Sequence, residues 1–112
     1  MVVSMLAMSL AQAAELPEQL ERDANADGSL IAMAAFCKHP IEERKKLLTR
    51  MTEEALAQAQ KDGVALTEAQ YRDLAAVGYQ STAGFLSKLP MQGESYERNC
   101  KDVLEKIEKR MK

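Results

Sequence analysis

The sequence predicts an all-α fold, a small four-helix bundle with up-and-down helices and short loops, cross-linked by one disulfide. Breakers at Pro40, Gly63 and Pro90 divide the chain into segments of helical length. Within these segments apolar residues recur every three or four positions, and no segment alternates as a half-buried strand does. The chain has 112 residues, 46% of them hydrophobic, which suffices for one domain and is too short for the large enzyme folds.

Residues 1–13 predict a signal peptide, and residues 14–112 a single helical domain. The leader has no charged side chain, and it ends in Ala11-Gln12-Ala13, the small-x-small pattern that a signal peptidase recognises. A stable membrane anchor is not expected, because a spanning helix needs about 20 apolar residues and Glu15 and Pro17 interrupt this segment. The alternative is an amphipathic helix packed on the domain. We therefore expect a periplasmic or secreted protein.

The first half of the domain predicts two main helices. Leu16–Arg22 favours one or two helical turns, and Asp23–Ser29, rich in Asp, Asn and Gly, predicts a turn. Leu30–His39 is apolar on nearly all sides, which is typical of a helix at the centre of a bundle. Pro40 ends it, and Ile41–Lys61 predicts the next helix. The inner stripe of that helix consists of Leu47, Leu48, Met51, Ala55 and Ala59.

The second half predicts two more helices. Thr67 and Gln70 have the spacing of a capping box, and Pro90 ends the helix that starts there. Gly78 and Gly84 in this helix indicate close approaches to a neighbouring helix. Ser95 is the predicted cap of the last helix. The two inner faces comprise Tyr71, Leu74, Ala75, Gly78, Thr82, Phe85 or Leu86, and Leu89 in the third helix, and Tyr96, Cys100, Val103, Leu104, Ile107 and Met111 in the last.

Cys37 and Cys100 are the only cysteines, and we expect them to form a disulfide. Both lie on apolar faces of predicted helices, so both point toward the core. An even number of cysteines in a small exported protein is typical of a structural bridge. Redox or metal-binding thiols are the alternative, but the sequence has no CxxC spacing to support them.

Asp23, Asn25 and Asp27 match the first three ligand positions of an EF-hand calcium loop, and Gly28 matches its invariant glycine. The twelfth position, where a bidentate Glu belongs, is Ala34. The match is therefore partial, and a solvated turn is the better interpretation. We expect no metal site here.

No catalytic motif, cofactor site or phosphate-binding loop is present, and we expect a protein that is not an enzyme. His39 is the only imidazole, and no nucleophile is spaced to pair with it. The carboxylate pairs Glu42-Glu43 and Glu53-Glu54 point apart on a helix and fit a solvated face. The basic residues of the last helix, Arg110 among them, complement the helix dipole. With a net charge of −2, the chain gives no reason to expect a nucleic-acid partner.

These features favour a protein that acts by binding another protein, as an inhibitor or immunity-type protein. Its architecture resembles in a general way immunity proteins against cell-wall-degrading toxins, periplasmic acid-stress chaperones and secretin pilotins. No shared motif carries the resemblance. A stress chaperone and a small-ligand carrier with a pocket between helices are the alternatives. Aromatic and Arg side chains dominate binding surfaces, and the candidate anchors are Tyr71, Arg72, Tyr79, Tyr96 and Arg98.

Overall fold

The computed structural model describes residues 16–112 and confirms the predicted all-α fold. Four helices, joined by short connections, form the bundle. They are α1 (Glu18–Phe36), α2 (Ile41–Lys61), α3 (Glu68–Leu86) and α4 (Glu94–Met111). Helix α1 contacts each of the other three, and Leu30, Ala32 and Ala34 in its second half are buried.

Helix α1 is continuous, so the predicted turn over Asp23–Ser29 is wrong. The segment forms two turns in the middle of a 19-residue helix. Asp, Asn and Gly favour turns in isolation, but tertiary packing overrides a weak local preference. Ala24, Asp27 and Gly28 are buried against the neighbouring helices, and their burial holds the helix together through this polar stretch.

The closest packing in the bundle joins α1 to α3, and it depends on two glycines. A Cβ atom added to Gly28 would lie 1.7 Å from the carbonyl oxygen of Ala75. A Cβ atom added to Gly78 would lie 1.9 Å from the carbonyl oxygen of Asn25. Each helix therefore places a glycine against the backbone of the other. The approach predicted at Gly78 is confirmed, whereas Gly84 faces open space and has no such role.

The core follows most positions of the predicted helical stripes, but Leu104, predicted on the inner face of the last helix, is 38% exposed, so that position is wrong. Leu47 and Met51 of α2 and Tyr71 of α3 are its largest fully buried side chains. Helix α4 contributes Val103 and Ile107. Burial of an aliphatic or aromatic side chain of this kind stabilises a fold by about 1.5–3 kcal/mol, so the three inner stripes supply the main stabilising contribution.

The boundaries of α3 and α4 agree with prediction only in part. The capping box at Thr67 is confirmed, since its hydroxyl accepts from the Gln70 amide and the Gln70 side chain accepts from the Thr67 amide. Helix α3 ends at Leu86, before Pro90. Helix α4 begins after Gly93, whose φ of 101° suits glycine, and no side chain caps it, so the role predicted for Ser95 is wrong.

The predicted disulfide is confirmed and fixes the start of α4 to the end of α1. Cys37 and Cys100 are bonded, with their Cα atoms 5.4 Å apart. Beside the bridge, the Tyr96 hydroxyl donates to the carbonyl oxygen of Phe36 over 2.9 Å. The two rings of this pair meet edge to face, with their centroids 5.2 Å apart. Covalent, polar and aromatic contacts therefore join the same two helix ends.

The predicted signal peptide lies outside the described residues. Within residues 16–112, no helix combines the length and the apolar character that crossing a bilayer requires.

Candidate functional site

Four polar side chains, one from each helix, meet between the helices. This four-helix cluster consists of Asp27 (α1), Glu54 (α2), Tyr71 (α3) and Arg110 (α4). The Tyr71 hydroxyl donates to Asp27 Oδ2 over 2.5 Å, and Arg110 Nη1 donates to Asp27 Oδ1 over 2.9 Å. Arg110 Nε also contacts Glu54 Oε2 at 3.3 Å. The buried carboxylate of Asp27 thus accepts hydrogen bonds from the phenol of Tyr71 and from the guanidinium of Arg110.

The surroundings of the four-helix cluster shift two pKa values upward. Burial, together with the hydrogen bond to Asp27, raises the pKa of Tyr71 well above its ordinary value. Partial burial by itself lowers the pKa of Arg110, but the hydrogen bond and charge of Asp27, followed by those of Glu54, outweigh it and raise that pKa. Tyr71 therefore keeps its proton as a donor, and Arg110 keeps its charge.

The cluster is suited to holding helices together. Asp27 is bonded on both carboxylate oxygens, and Arg110 spans two carboxylates from different helices. Since burying a carboxylate without partners is costly, these bonds offset a desolvation penalty and position α4 relative to α1 and α2.

A groove of about 700 Å³ lies between α1 and α2, with the four-helix cluster at one side. We call it the α1–α2 groove. It lies at the end of the bundle where α1 begins and α2 ends. Its lining comprises Pro17, Gln19, Leu20, Asp23, Ala24, Ala26 and Asp27 from the α1 side, Glu54, Ala55, Gln58, Ala59, Asp62 and Val64 from the α2 side, and Tyr71 and Arg110. The volume lies within the range of small-molecule sites.

A second surface feature is a group of exposed apolar side chains at the end of α3 and in the connection that follows it. We call residues 85–91 the apolar turn. Phe85 is 65% exposed, Met91 45% and Leu89 39%. The sequence left open whether Phe85 or Leu86 points inward, and the structure shows that Leu86 is half-buried while Phe85 points to solvent. The prediction that Leu89 belongs to the inner face is wrong, because the helix has already ended.

The residues predicted as binding anchors differ in burial and in their hydrogen-bond partners. Tyr71 is fully buried and bonded to Asp27, so it cannot contact a partner and its proposed role is corrected. Tyr96 is half-buried with its hydroxyl bonded to Phe36. Tyr79 is half-buried, whereas Arg72 and Arg98 are exposed, and Arg72 pairs with Glu68 at 3.0 Å. Binding by these four residues stays a prediction.

The partial calcium-loop residues do not form a loop. Asp23, Asn25 and Asp27 lie on α1, where Asp23 accepts from Gln19 and Asp27 bonds Tyr71 and Arg110. Asn25 lies at the contact with Gly78, and its buried side-chain oxygen has no hydrogen-bond partner among the described residues. Across residues 16–112, no three His, Cys, Asp or Glu side chains are grouped as metal ligands would be.

The local sequence pattern does not predict the four-helix cluster. Glu54 lies on the solvated face that the sequence predicts, with its side chain 45% exposed, but it is also bonded to Arg110, for which the sequence predicts only a favourable interaction with its own helix dipole. A signal was present, since Arg110 lies three residues after the core residue Ile107 and so falls on the inner half of α4.

Residues 16–112 thus form a disulfide-linked four-helix protein with a groove between α1 and α2 and an exposed apolar turn at the end of α3. Comparison with protein-family models, with curated proteins and with solved structures gave no match.

Proposed function

We propose that this chain is a small exported protein that binds another protein through the apolar turn, as an inhibitor or immunity-type protein. The observation that carries the proposal is the exposure of Phe85, Leu89 and Met91 within seven residues. Single exposed apolar residues are common, but several large ones close together are typical of binding surfaces. An aromatic side chain such as Phe85 supplies a large contact area once it enters a partner's pocket.

The way the apolar turn is held supports the same proposal. It spans the end of α3 and most of the connection to α4, and α4 is attached to α1 by the disulfide and by the bond from Tyr96. Within the turn, the backbone N–H groups of Ser87, Lys88 and Leu89 donate to carbonyl oxygens three or four residues earlier. A segment ordered in this way loses less conformational entropy on binding, which favours affinity. The disulfide also supports export, because such bonds persist in oxidising compartments.

Capture of a partner protein, compared between the wild type and two matched variants, tests whether the apolar turn is the binding surface. The oxidised protein is immobilised and exposed to an envelope extract at neutral pH and again near pH 3, in parallel with Phe85→Ser and Val77→Ser. Val77 is the control because it is 58% exposed on the same helix but lies outside residues 85–91. Both variants should keep the wild-type melting curve, since both side chains are exposed.

The captured partner is then purified and its Kd measured with each variant. We expect one stoichiometric partner whose Kd rises at least about 30-fold with Phe85→Ser, the effect of losing a residue that dominates an interface. The Val77→Ser variant should change the Kd by less than about fivefold. Equal binding by all three proteins would overturn the proposal. Capture of many unrelated proteins only near pH 3 would instead indicate a stress chaperone.

A further inference from the structure

We propose that a second copy of this chain binds to the outer face of α3, so that two α3 helices pair in antiparallel orientation about a twofold axis. The residues of this face are all exposed and lie on one side of the helix and of the turn that continues it. We call them the α3 outer face: Asp73, Val77, Gln80, Ser81, Gly84 and Lys88. The inference does not depend on the proposed binding of another protein, because the centre of the face lies outside the apolar turn.

Helical spacing places these residues on one side. Asp73 lies four residues before Val77, and Lys88 lies four residues after Gly84. Seven residues, close to two helical turns, separate Val77 from Gly84. Because an α-helix has about 3.6 residues per turn, such spacings keep side chains on a single face. Lys88 follows the end of α3, but its backbone N–H still donates to the carbonyl oxygen of Phe85, so the chain continues to wind there.

The centre of the α3 outer face has properties that the fold of one chain does not explain. Residues 74–87 contain no charged side chain, although 29% of the whole chain is charged. Val77, in the middle of this stretch, is 58% exposed. A Cβ atom added to Gly84 would meet nothing within 4 Å, so packing within the chain does not require a glycine there. Glycine destabilises a helix relative to alanine, and close approach of another chain gives this glycine a role.

Charge complementarity identifies a second copy as the occupant. The positions of the face are symmetric about the midpoint between Gln80 and Ser81. With a twofold axis at that midpoint, Asp73 of each copy lies opposite Lys88 of the other. Neither side chain forms an ion pair with any residue from 16 to 112. Parallel helices would instead place the two Asp73 carboxylates side by side, which is repulsive, so the charges select the antiparallel arrangement.

Side-chain size is complementary in the same arrangement. Val77 of each copy lies opposite Gly84 of the other, where no Cβ atom blocks its approach. Gln80 lies opposite Ser81, and an amide and a hydroxyl are able to exchange hydrogen bonds. A single pair of helices buries less area than an obligate dimer does, so we expect a weak dimer with a Kd of about 1–100 μM.

The test is sedimentation equilibrium of the oxidised protein over a concentration series that spans this range. Asp73→Lys and Lys88→Glu each replace two attractive pairs by two repulsive ones, and each should weaken dimerisation at least about fivefold. An equimolar mixture of the two variants should dimerise as tightly as the wild type, because one variant contributes two cations and the other two anions. The matched controls Asp102→Lys and Lys101→Glu make the same charge changes at exposed positions of α4 and should leave the Kd unchanged.

A further variant tests the centre of the α3 outer face without changing any charge. Gly84→Leu should weaken dimerisation at least about tenfold, because its side chain occupies the space that Val77 of the second copy needs. Unfolding of the dilute variant should show no loss of stability, since leucine favours a helix more than glycine does. A protein that stays monomeric throughout the series would overturn the proposal. So would equal losses in the α3 and α4 charge variants, a mixture that fails to dimerise, or a dimer that Gly84→Leu leaves intact.

Discussion

Removal of the Asp27 carboxylate should destabilise the bundle more than any other loss of a single charge, because this group joins three helices directly. Asp27→Ala leaves the buried Tyr71 hydroxyl without its acceptor, which costs about 1–3 kcal/mol. Arg110 loses two hydrogen bonds but keeps Glu54 and remains partly exposed, so we assign it about 1 kcal/mol. The expected loss in the free energy of unfolding is therefore about 2–4 kcal/mol.

The assay is thermal and urea unfolding of the oxidised protein at pH 7. For a domain of this size the loss corresponds to a fall in Tm of about 10–20 °C. Asp73→Ala is the control, since Asp73 is exposed and forms no ion pair with any residue from 16 to 112. Substitution of such a surface residue changes stability by less than about 0.5 kcal/mol.

A double-mutant cycle shows whether the loss arises in the four-helix cluster. Tyr71→Phe removes only the hydroxyl, and its cost should be about 1 kcal/mol smaller in the Asp27→Ala background than in the wild type. An Asp27→Ala variant as stable as Asp73→Ala would refute the reasoning. A coupling energy of zero would show that the Tyr71–Asp27 bond contributes nothing to stability.

Three further perturbations test other features. Reduction of the Cys37–Cys100 bond, whose partners are 63 residues apart, should lower the free energy of unfolding by about 4 kcal/mol on the chain-entropy model, and denaturant curves with and without reductant measure it. Gly28→Ala should unfold or severely destabilise the protein, whereas Gly84→Ala, with nothing near its added methyl, should stabilise it by about 0.5–1 kcal/mol, as thermal melts would show. Because the pKa of Tyr71 is raised, the folded state keeps a proton that the unfolded state loses above about pH 10. The contribution of Tyr71 to the free energy of unfolding is therefore fully present below about pH 10. Above that pH the free energy of unfolding should fall by up to about 1.4 kcal/mol per pH unit. Urea unfolding measured at increasing pH should show a shallower fall for Tyr71→Phe.

The parts of the fold that depend on periodicity could be predicted from sequence. The stripe through Leu47 and Met51, the stripe through Val103 and Ile107, and the capping box at Thr67 all arise from neighbours within one helix. Local spacing determines these features, so a single sequence contains the necessary information. The disulfide could be predicted for a related reason, since both cysteines lie on inward faces.

The parts that depend on tertiary contact could not be predicted in the same way. Asp23–Ser29 has the composition of a turn, and only the backbone of α3 shows why Gly28 belongs inside a helix. The four-helix cluster and the α1–α2 groove each combine residues that are distant in sequence. Asp27 and Arg110 are 83 residues apart, and no local pattern pairs them.

The reciprocal glycine contact also determines which parts of the molecule can move. Sliding α1 along α3 would place a side-chain carbon where Gly28 or Gly78 now leaves room only for hydrogen, so the two helices behave as one rigid unit. The α1–α2 groove has one wall on this unit and the other on α2. A change in its width would therefore require α2 to move relative to the α1–α3 unit. Such a movement would also separate Glu54 from Arg110, so the width of the groove and the attachment of α4 are mechanically coupled.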